Sequence, residues 1–253
     1  MLEVLTNPNR FFEAKAKGER EEKGAGGGEG KGGGEGKGGG EGEWGRGERE
    51  PSLKIPALIV LTSGLVGGIS LFLMAGVTFE MLRKSQTLPQ EALGVVSAVG
   101  GVGAFVGAVV SSFVIWVVAA ALFFAVSCLF KGEGKFKRTL EFVGYGYIPT
   151  IFSGLVSAVL VYNFVSTTQI PVVTNVADPA EIQKALAPLL TSPLLRLSSA
   201  VGILFMLWSA NIWIFGLKHA RNLSTRDAVL TVAIPVAIYI LVLLLRNPSS
   251  LGV

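Results

Sequence analysis

Five stretches of this chain, residues 56–81, 100–130, 140–166, 194–217 and 228–245, are apolar on every side rather than on one face. Runs of about 18 or more such residues are long enough to cross a bilayer as helices. A soluble protein with buried core helices would show one apolar stripe per helix. Half of the chain is hydrophobic, and the mean hydropathy is +0.56. The expected fold is therefore all-α: a polytopic membrane bundle of five transmembrane helices. Every backbone N–H and C=O in the hydrocarbon must be satisfied internally, and helices do this.

Charge sets the expected orientation. The formal net charge is +4. The chain up to Lys54 is close to neutral, so the surplus belongs to the membrane part. It concentrates in two loops. One holds Lys131, Lys135, Lys137 and Arg138 against Glu133; the other holds Lys218, His219, Arg221 and Arg226. With five spans both loops share the side of the N-terminus. Basic loops stay inside, which predicts a cell-membrane protein with a cytoplasmic N-terminus and an external C-terminus. Arg83, Lys84, Lys184 and Arg246 fall on the other side but are scattered. Cations beside spans meet anionic lipid headgroups, not nucleic acid.

Residues 1–17 read as a short amphipathic helix. Asn7 is a good N-cap and Pro8 suits the first helical position. Phe11 and Phe12 with Lys15 and Lys17 give it two faces. Such a helix either lies on the membrane or docks on the bundle; the alternative is a frayed terminus, since isolated short helices are marginal in water. The stretch lacks the apolar core and cleavage site of a secretory signal. Residues 18–52 read as a disordered linker, because GGGEGK, GGGEGK and GGGEGE follow one another and nothing there can bury a face. No strand precedes the repeat and no helix follows it, so it is not a phosphate cradle.

Within the spans, Gly64 and Gly68 have the spacing that lets helices approach closely. The second span carries two small-residue ladders: Gly100, Ala104, Ala108 and Ser112, and beside them Gly103, Gly107 and Ser111. The third opens on Gly144, Tyr145, Gly146, Tyr147 and Pro149. A proline there clashes with the carbonyl of Tyr145, which then needs another partner. The connection after it should be an ordered external loop with one short helix from Asp178 or Pro179 to about Leu186. In the fourth span Asn211 is expected to hydrogen-bond between helices, and Pro235 interrupts the fifth.

The catalytic inventory is empty: no nucleophile elbow, no paired aspartates within spans, no HExxH or CxxC. A lone Cys128 and a lone His219 build neither a disulfide nor a metal cluster. Glu80 and Glu141 stand at span ends, so no carboxylate lies at the midplane for ion coupling. No enzyme activity, cofactor or metal is expected. A passive pore or a carrier of neutral or lipidic molecules stays open.

Three segments, NPNRFFEA, FKGEGKFKRTLEFVGYGYIP and GLKHARNLSTRDAVLTVAIP, resemble the Yip-domain family, whose eukaryotic members are the Ypt/Rab-interacting proteins. The resemblance covers about residues 53–245, and the NP-x-x-F element near the start is typical of the short prokaryotic branch. It implies a five-span bundle with a cytosolic N-terminus. Eukaryotic members carry a longer cytosolic arm implicated in binding prenylated Rab GTPases; here a short helix and a glycine linker replace it. The positions carried over are Lys131, Gly132, Phe136, Gly144, Tyr145 and Pro149, as structural or interaction positions without a catalytic role. Lys137, Arg138, Tyr147, Asn211 and Pro235 complete the candidates. The implied function is a non-enzymatic membrane-organising or partner-binding scaffold; the alternative is a transporter or channel for a neutral or lipidic solute. Its expected partners are anionic headgroups, a protein at the cytosolic loops, and further copies of itself.

Overall fold

Glycines decide how the first two long helices meet. In the computed structural model, which describes residues 2–25, 51–85, 89–172 and 178–246, α1 (Leu2–Thr6), α2 (Pro8–Ala25), α3 (Lys54–Lys84) and α4 (Gln90–Leu129) come first. A Cβ on Gly64 would stand 2.5 Å from Ser112 Oγ, and one on Gly68 would stand 2.8 Å from the Phe105 ring. The two helices therefore form an antiparallel pair at close range. Of the two small-residue ladders, the one through Gly100 and Ser112 faces α3, with Gly100 under Phe79. Gly103 and Gly107 have no neighbour within 4 Å, and Ser111 is exposed. Hydropathy does not distinguish two stripes of small residues; packing uses one.

That asymmetry gives a paired test. Gly64→Leu is expected to cost about 1–3 kcal/mol through overpacking, and Gly107→Leu to leave stability unchanged. Thermal midpoints in one detergent measure both.

The remaining elements are α5 (Phe136–Tyr145), α6 (Ile148–Thr167), α7 (Pro179–Leu190), α8 (Pro193–Ala220) and α9 (Thr225–Arg246). No strand occurs among the described residues. Among the described residues, five segments are long and apolar enough to cross a membrane: α3, α4, α5 with α6, α8 and α9. The second begins at Gln90, earlier than its hydropathy suggested. Its 40 residues span about 60 Å at ~1.5 Å each, about twice the hydrocarbon thickness.

The third span is two helices. α5 ends at Tyr145, Gly146 and Tyr147 form a turn, and α6 restarts at Ile148. Pro149 thus lies in the first turn of α6, where its missing N–H costs nothing. The expected clash at the Tyr145 carbonyl does not arise. Hydroxyls fasten α6 to its neighbours: Ser63 to Thr150 at 2.7 Å and Ser198 to Ser157 at 3.0 Å.

The short helix expected after the third span forms, with Asp178 capping it by accepting from the Ala180 N–H at 2.9 Å. Asn7 likewise caps α2, its Oδ1 accepting from the Arg10 N–H at 3.2 Å. The helix runs to Ala25, beyond the boundary expected at Lys17, through GEREEK, which is rich in helix formers. The glycine repeats, residues 26–50, lie outside the described residues.

The main core sits toward the N-terminal end of the bundle, around Phe12, Phe142, Trp116, Trp213 and Leu217. A smaller cluster of Val77, Phe164 and Leu189 seals the opposite end.

Candidate interaction face

The KGEG turn between α4 and α5 is built around one arginine. Arg221, 3% exposed, enters from the α8–α9 connection. Its Nε donates to Ser127 Oγ at 2.9 Å. Its Nη2 donates to the Gly132 carbonyl at 2.6 Å, and its Nη1 to the Gly134 carbonyl. The guanidinium lies over the Phe124 ring, 4.2 Å from its centroid. In return the Glu133 N–H donates to the Arg221 carbonyl at 2.9 Å. Only a planar fork can meet so many acceptors at once.

Both glycines of the turn are required. Gly134 has φ +120°, and a Cβ there would stand 2.7 Å from the Ala220 carbonyl oxygen. A Cβ on Gly132 would stand 2.9 Å from the Ser127 carbonyl oxygen. Lys131 and Asn222 are left-handed at φ 56° and 51°, an uncommon conformation for a lysine. The two basic loops thus form one rigid unit. Lys131, Lys135, Lys137 and Arg226 project from it exposed, and Phe136 is 37% exposed. Arg138 is half-buried and stacks over Phe142. Ser224 closes the unit as the N-cap of α9: its Oγ accepts from the Asp227 N–H at 3.2 Å and donates to the Asp227 carboxylate at 2.7 Å.

The GYGYIP segment receives two tryptophans. Trp116 Nε1 donates to the Leu140 carbonyl at 2.9 Å, and Trp213 Nε1 to the Val143 carbonyl at 2.8 Å. Gly144 leaves room for Pro56 and Trp116, and Gly146 leaves room for the Trp213 indole. The Val143 carbonyl also accepts from the Gly146 N–H at 3.1 Å, so the indole adds a second hydrogen bond beside the helix break. Tyr147 packs on Trp213 with centroids 5.8 Å apart. Tyr145 turns the other way, toward α2.

There the N-terminal helix docks. Phe12 is fully buried, 5.0 Å from Phe142 between centroids. Phe11 meets Tyr145 edge-on at 5.4 Å. Lys15 Nζ reaches Glu141 at 2.8 Å, with the Glu141 side chain only 2% exposed, and donates to the Tyr145 hydroxyl at 3.1 Å. Asn9 Oδ1 lies 3.0 Å from His219 Nε2. On the outer side, Lys17 bonds Glu13 at 2.7 Å and holds that carboxyl below its ordinary range.

Desolvation pushes the Lys15 ammonium down. Its hydrogen bonds to Glu141 and Tyr145 and the attraction of Glu141 outweigh this, so its pKa stands above the ordinary 10.5. A lysine raised on docking contributes fully below its free value and loses that contribution as pH climbs through the raised one. As far as Lys15 governs it, docking of α2 is therefore expected to be constant across neutral pH and to weaken above about pH 10.5. A fluorophore on α2 quenched by the bundle would follow it.

A model of the Yip1 domain matches residues 42–246. The chain belongs to the Yip1-domain family. This Yip1-domain protein is also 31% identical over 162 residues to an uncharacterized protein of Methanocaldococcus jannaschii, covering 64% of this chain and 88% of that one. No solved structure matches it. Family and helices together make it a multi-pass membrane protein.

The structure brings Lys131, Gly132, Phe136, Lys137, Arg138, Gly144 and Tyr145 of this Yip1-domain protein to one end of the bundle, with Tyr147 and Pro149 just beneath. Asn211 and Pro235 stand apart. Asn211 is exposed while Ala210, Ile212 and Trp213 take the inward positions, so the expected interhelical hydrogen bond is not made among the described residues. Pro235 lies within α9 beside buried Val236. Sequence alone gives Arg221, Glu141 and Lys15 only general roles, as members of a basic loop, a span end and an amphipathic helix. An arginine amid other basic residues reads as an orientation signal, and a glutamate at a span end reads as interfacial.

Proposed function

We propose that this Yip1-domain protein is a non-enzymatic scaffold of the cell membrane. Its basic loops and N-terminal helix would face the cytoplasm and hold partner proteins there, beside anionic lipid. One observation carries the reading: Arg221 locks both basic loops into a single surface next to a docked amphipathic helix. Surface loops that only orient a bundle need no such rigidity. Cations on a fixed frame lose less side-chain and loop entropy on binding. Photo-crosslinkers at positions 135 and 226 in native membranes test it. A discrete protein adduct, lost on Arg221→Ala and absent from a control at position 99, is expected. Lipid adducts alone would contradict the reading.

A second reading, passage of a neutral or lipidic solute, is favoured by one feature. A crevice of about 250 Å³ between α6, α8 and α9 is lined by Thr150, Ser153, Ser199 and Tyr239, hydroxyl-bearing side chains within apolar helices. Flux of small polyols into proteoliposomes, abolished by Gly202→Phe, would support it. Equal flux in protein-free vesicles would end it.

A further inference from the structure

We infer that the crevice between α6, α8 and α9 is a lateral binding site for an uncharged lipid with a hydroxyl head, a long-chain alcohol or a diacylglycerol. The inference deepens the second reading above and rests on its view of this crevice as a ligand site. It requires residence there, not passage.

The hydroxyls of these helices fall into two groups. Where helices touch, hydroxyls pair with each other: Ser157 with Ser198 at 3.0 Å, and Thr150 with Ser63 at 2.7 Å. These bonds stitch α6 to α8 and to α3. At the crevice the pairing stops. Ser153 and Tyr239 line it and make no hydrogen bond among the described residues. Ser199, Gly202, Met206 and Ser209 follow one another at helical spacing along one face of α8. The first three line the crevice. Ser209, one turn further on, is wholly buried and its Oγ has no hydrogen-bond partner.

These hydroxyls stand where hydrocarbon offers no partner. Tyr239 is about 21 Å along α9 from Thr225, at ~1.5 Å per residue, inside a core about 30 Å thick. An unpaired polar group there is costly. A ligand hydroxyl relieves that cost, because it donates and accepts at once.

The rest of the lining sets the ligand's other properties. No carboxylate, ammonium or guanidinium lines the crevice, so a charged headgroup would lose its hydration without an opposing charge. Ile203, Phe205, Met206 and Ile240 supply apolar walls, and Phe205 is stacked on Trp208 at 5.9 Å. The volume of about 250 Å³ is below the range of about 300–1,000 Å³ for sites that enclose a whole ligand. It suits a head and the first carbons of a chain. Tyr239 is 55% exposed within a membrane span, so the crevice opens sideways and the rest of the chain lies in the bilayer.

Gly202 makes the site testable. A Cβ there meets nothing within 4 Å, so α8 accepts a side chain that occupies the crevice, and leucine suits a helix better than glycine. The test uses the full-length protein in nanodiscs and a hexadecanol carrying a diazirine near its hydroxyl. Labelling should saturate and map around Ser153, Gly202 and Tyr239. The matching diazirine alkane and alkyl phosphate should label those peptides at least about tenfold less. Gly202→Leu should abolish saturable labelling with its thermal midpoint unchanged or raised. The double variant Ser153→Ala, Tyr239→Phe keeps the space and should weaken the apparent affinity about fivefold or more. Unlabelled hexadecanol and dioleoylglycerol compete in separate arms. Displacement by either supports the inference, and the stronger competitor names the source.

Labelling spread evenly over the exposed faces of the spans would overturn the inference, as would labelling unchanged in Gly202→Leu. So would equal labelling by the alkyl phosphate, or failure of both competitors. If Gly202→Leu lowers the midpoint, the double variant decides alone. Saturable labelling without polyol flux into proteoliposomes would refute passage and uphold the site; flux without saturable labelling would do the reverse.

Discussion

Arg221→Ala is expected to destabilise the protein by several kcal/mol, at about 1–3 kcal/mol for each buried acceptor left unsatisfied. The guanidinium now serves the carbonyls of Gly132 and Gly134 and the Ser127 hydroxyl. Without it those acceptors lose their donor at a helix junction, and Lys131 and Gly134, both at positive φ, lose what holds them. Arg221→Lys is expected to recover only part, since an ammonium offers three donors from one point rather than a planar fork. Thermal unfolding in detergent reads the loss. Protease sensitivity at residues 131–135 shows that it begins in the loop. A midpoint unchanged in Arg221→Ala would refute the locked-loop account.

Gly146→Ala is the second large effect. The added methyl would overlap the Trp213 indole, the nearest atoms being Nε1 and Cδ1. Trp213 is 4% exposed, hydrogen-bonded to Val143 and packed on Phe123 and Tyr147, so it cannot swing aside without opening the core. The cost combines overpacking of about 1–3 kcal/mol with a lost buried hydrogen bond of about 1 kcal/mol. Trp213→Phe in the Gly146→Ala background should restore part of the stability by vacating the clash. The ordinary expectation, that alanine improves on glycine in a helix, predicts the opposite sign. Chemical denaturation of the three variants decides between them.

What could be read from sequence was local. Hydropathy placed the five spans, and the caps at Asn7 and Asp178 announced two helices through residues next to them. The resemblance pointed to segments that the structure gathers at one end of the molecule. What stayed hidden joins distant residues. Lys15 meets Tyr145 across 130 positions, and Arg221 meets Ser127 across 94. A charge that folds inward looks, in one dimension, like a charge that points at water. The proline of GYGYIP misled for a related reason: its cost depends on whether a helix precedes it unbroken, and the turn at Gly146 is stabilised by indoles from elsewhere. Asn211 shows the reverse case, a polar residue within a span whose helical phase turns it outward.

These readings share one premise: α2, the KGEG turn and the Arg221 turn occupy one face of the bundle, inside the cell. Intact cells carrying Lys135→Cys in a Cys128→Ser background, treated with a membrane-impermeant maleimide, test it most directly. Labelling only after the membrane is permeabilised is the predicted result. Labelling from outside intact cells would contradict it.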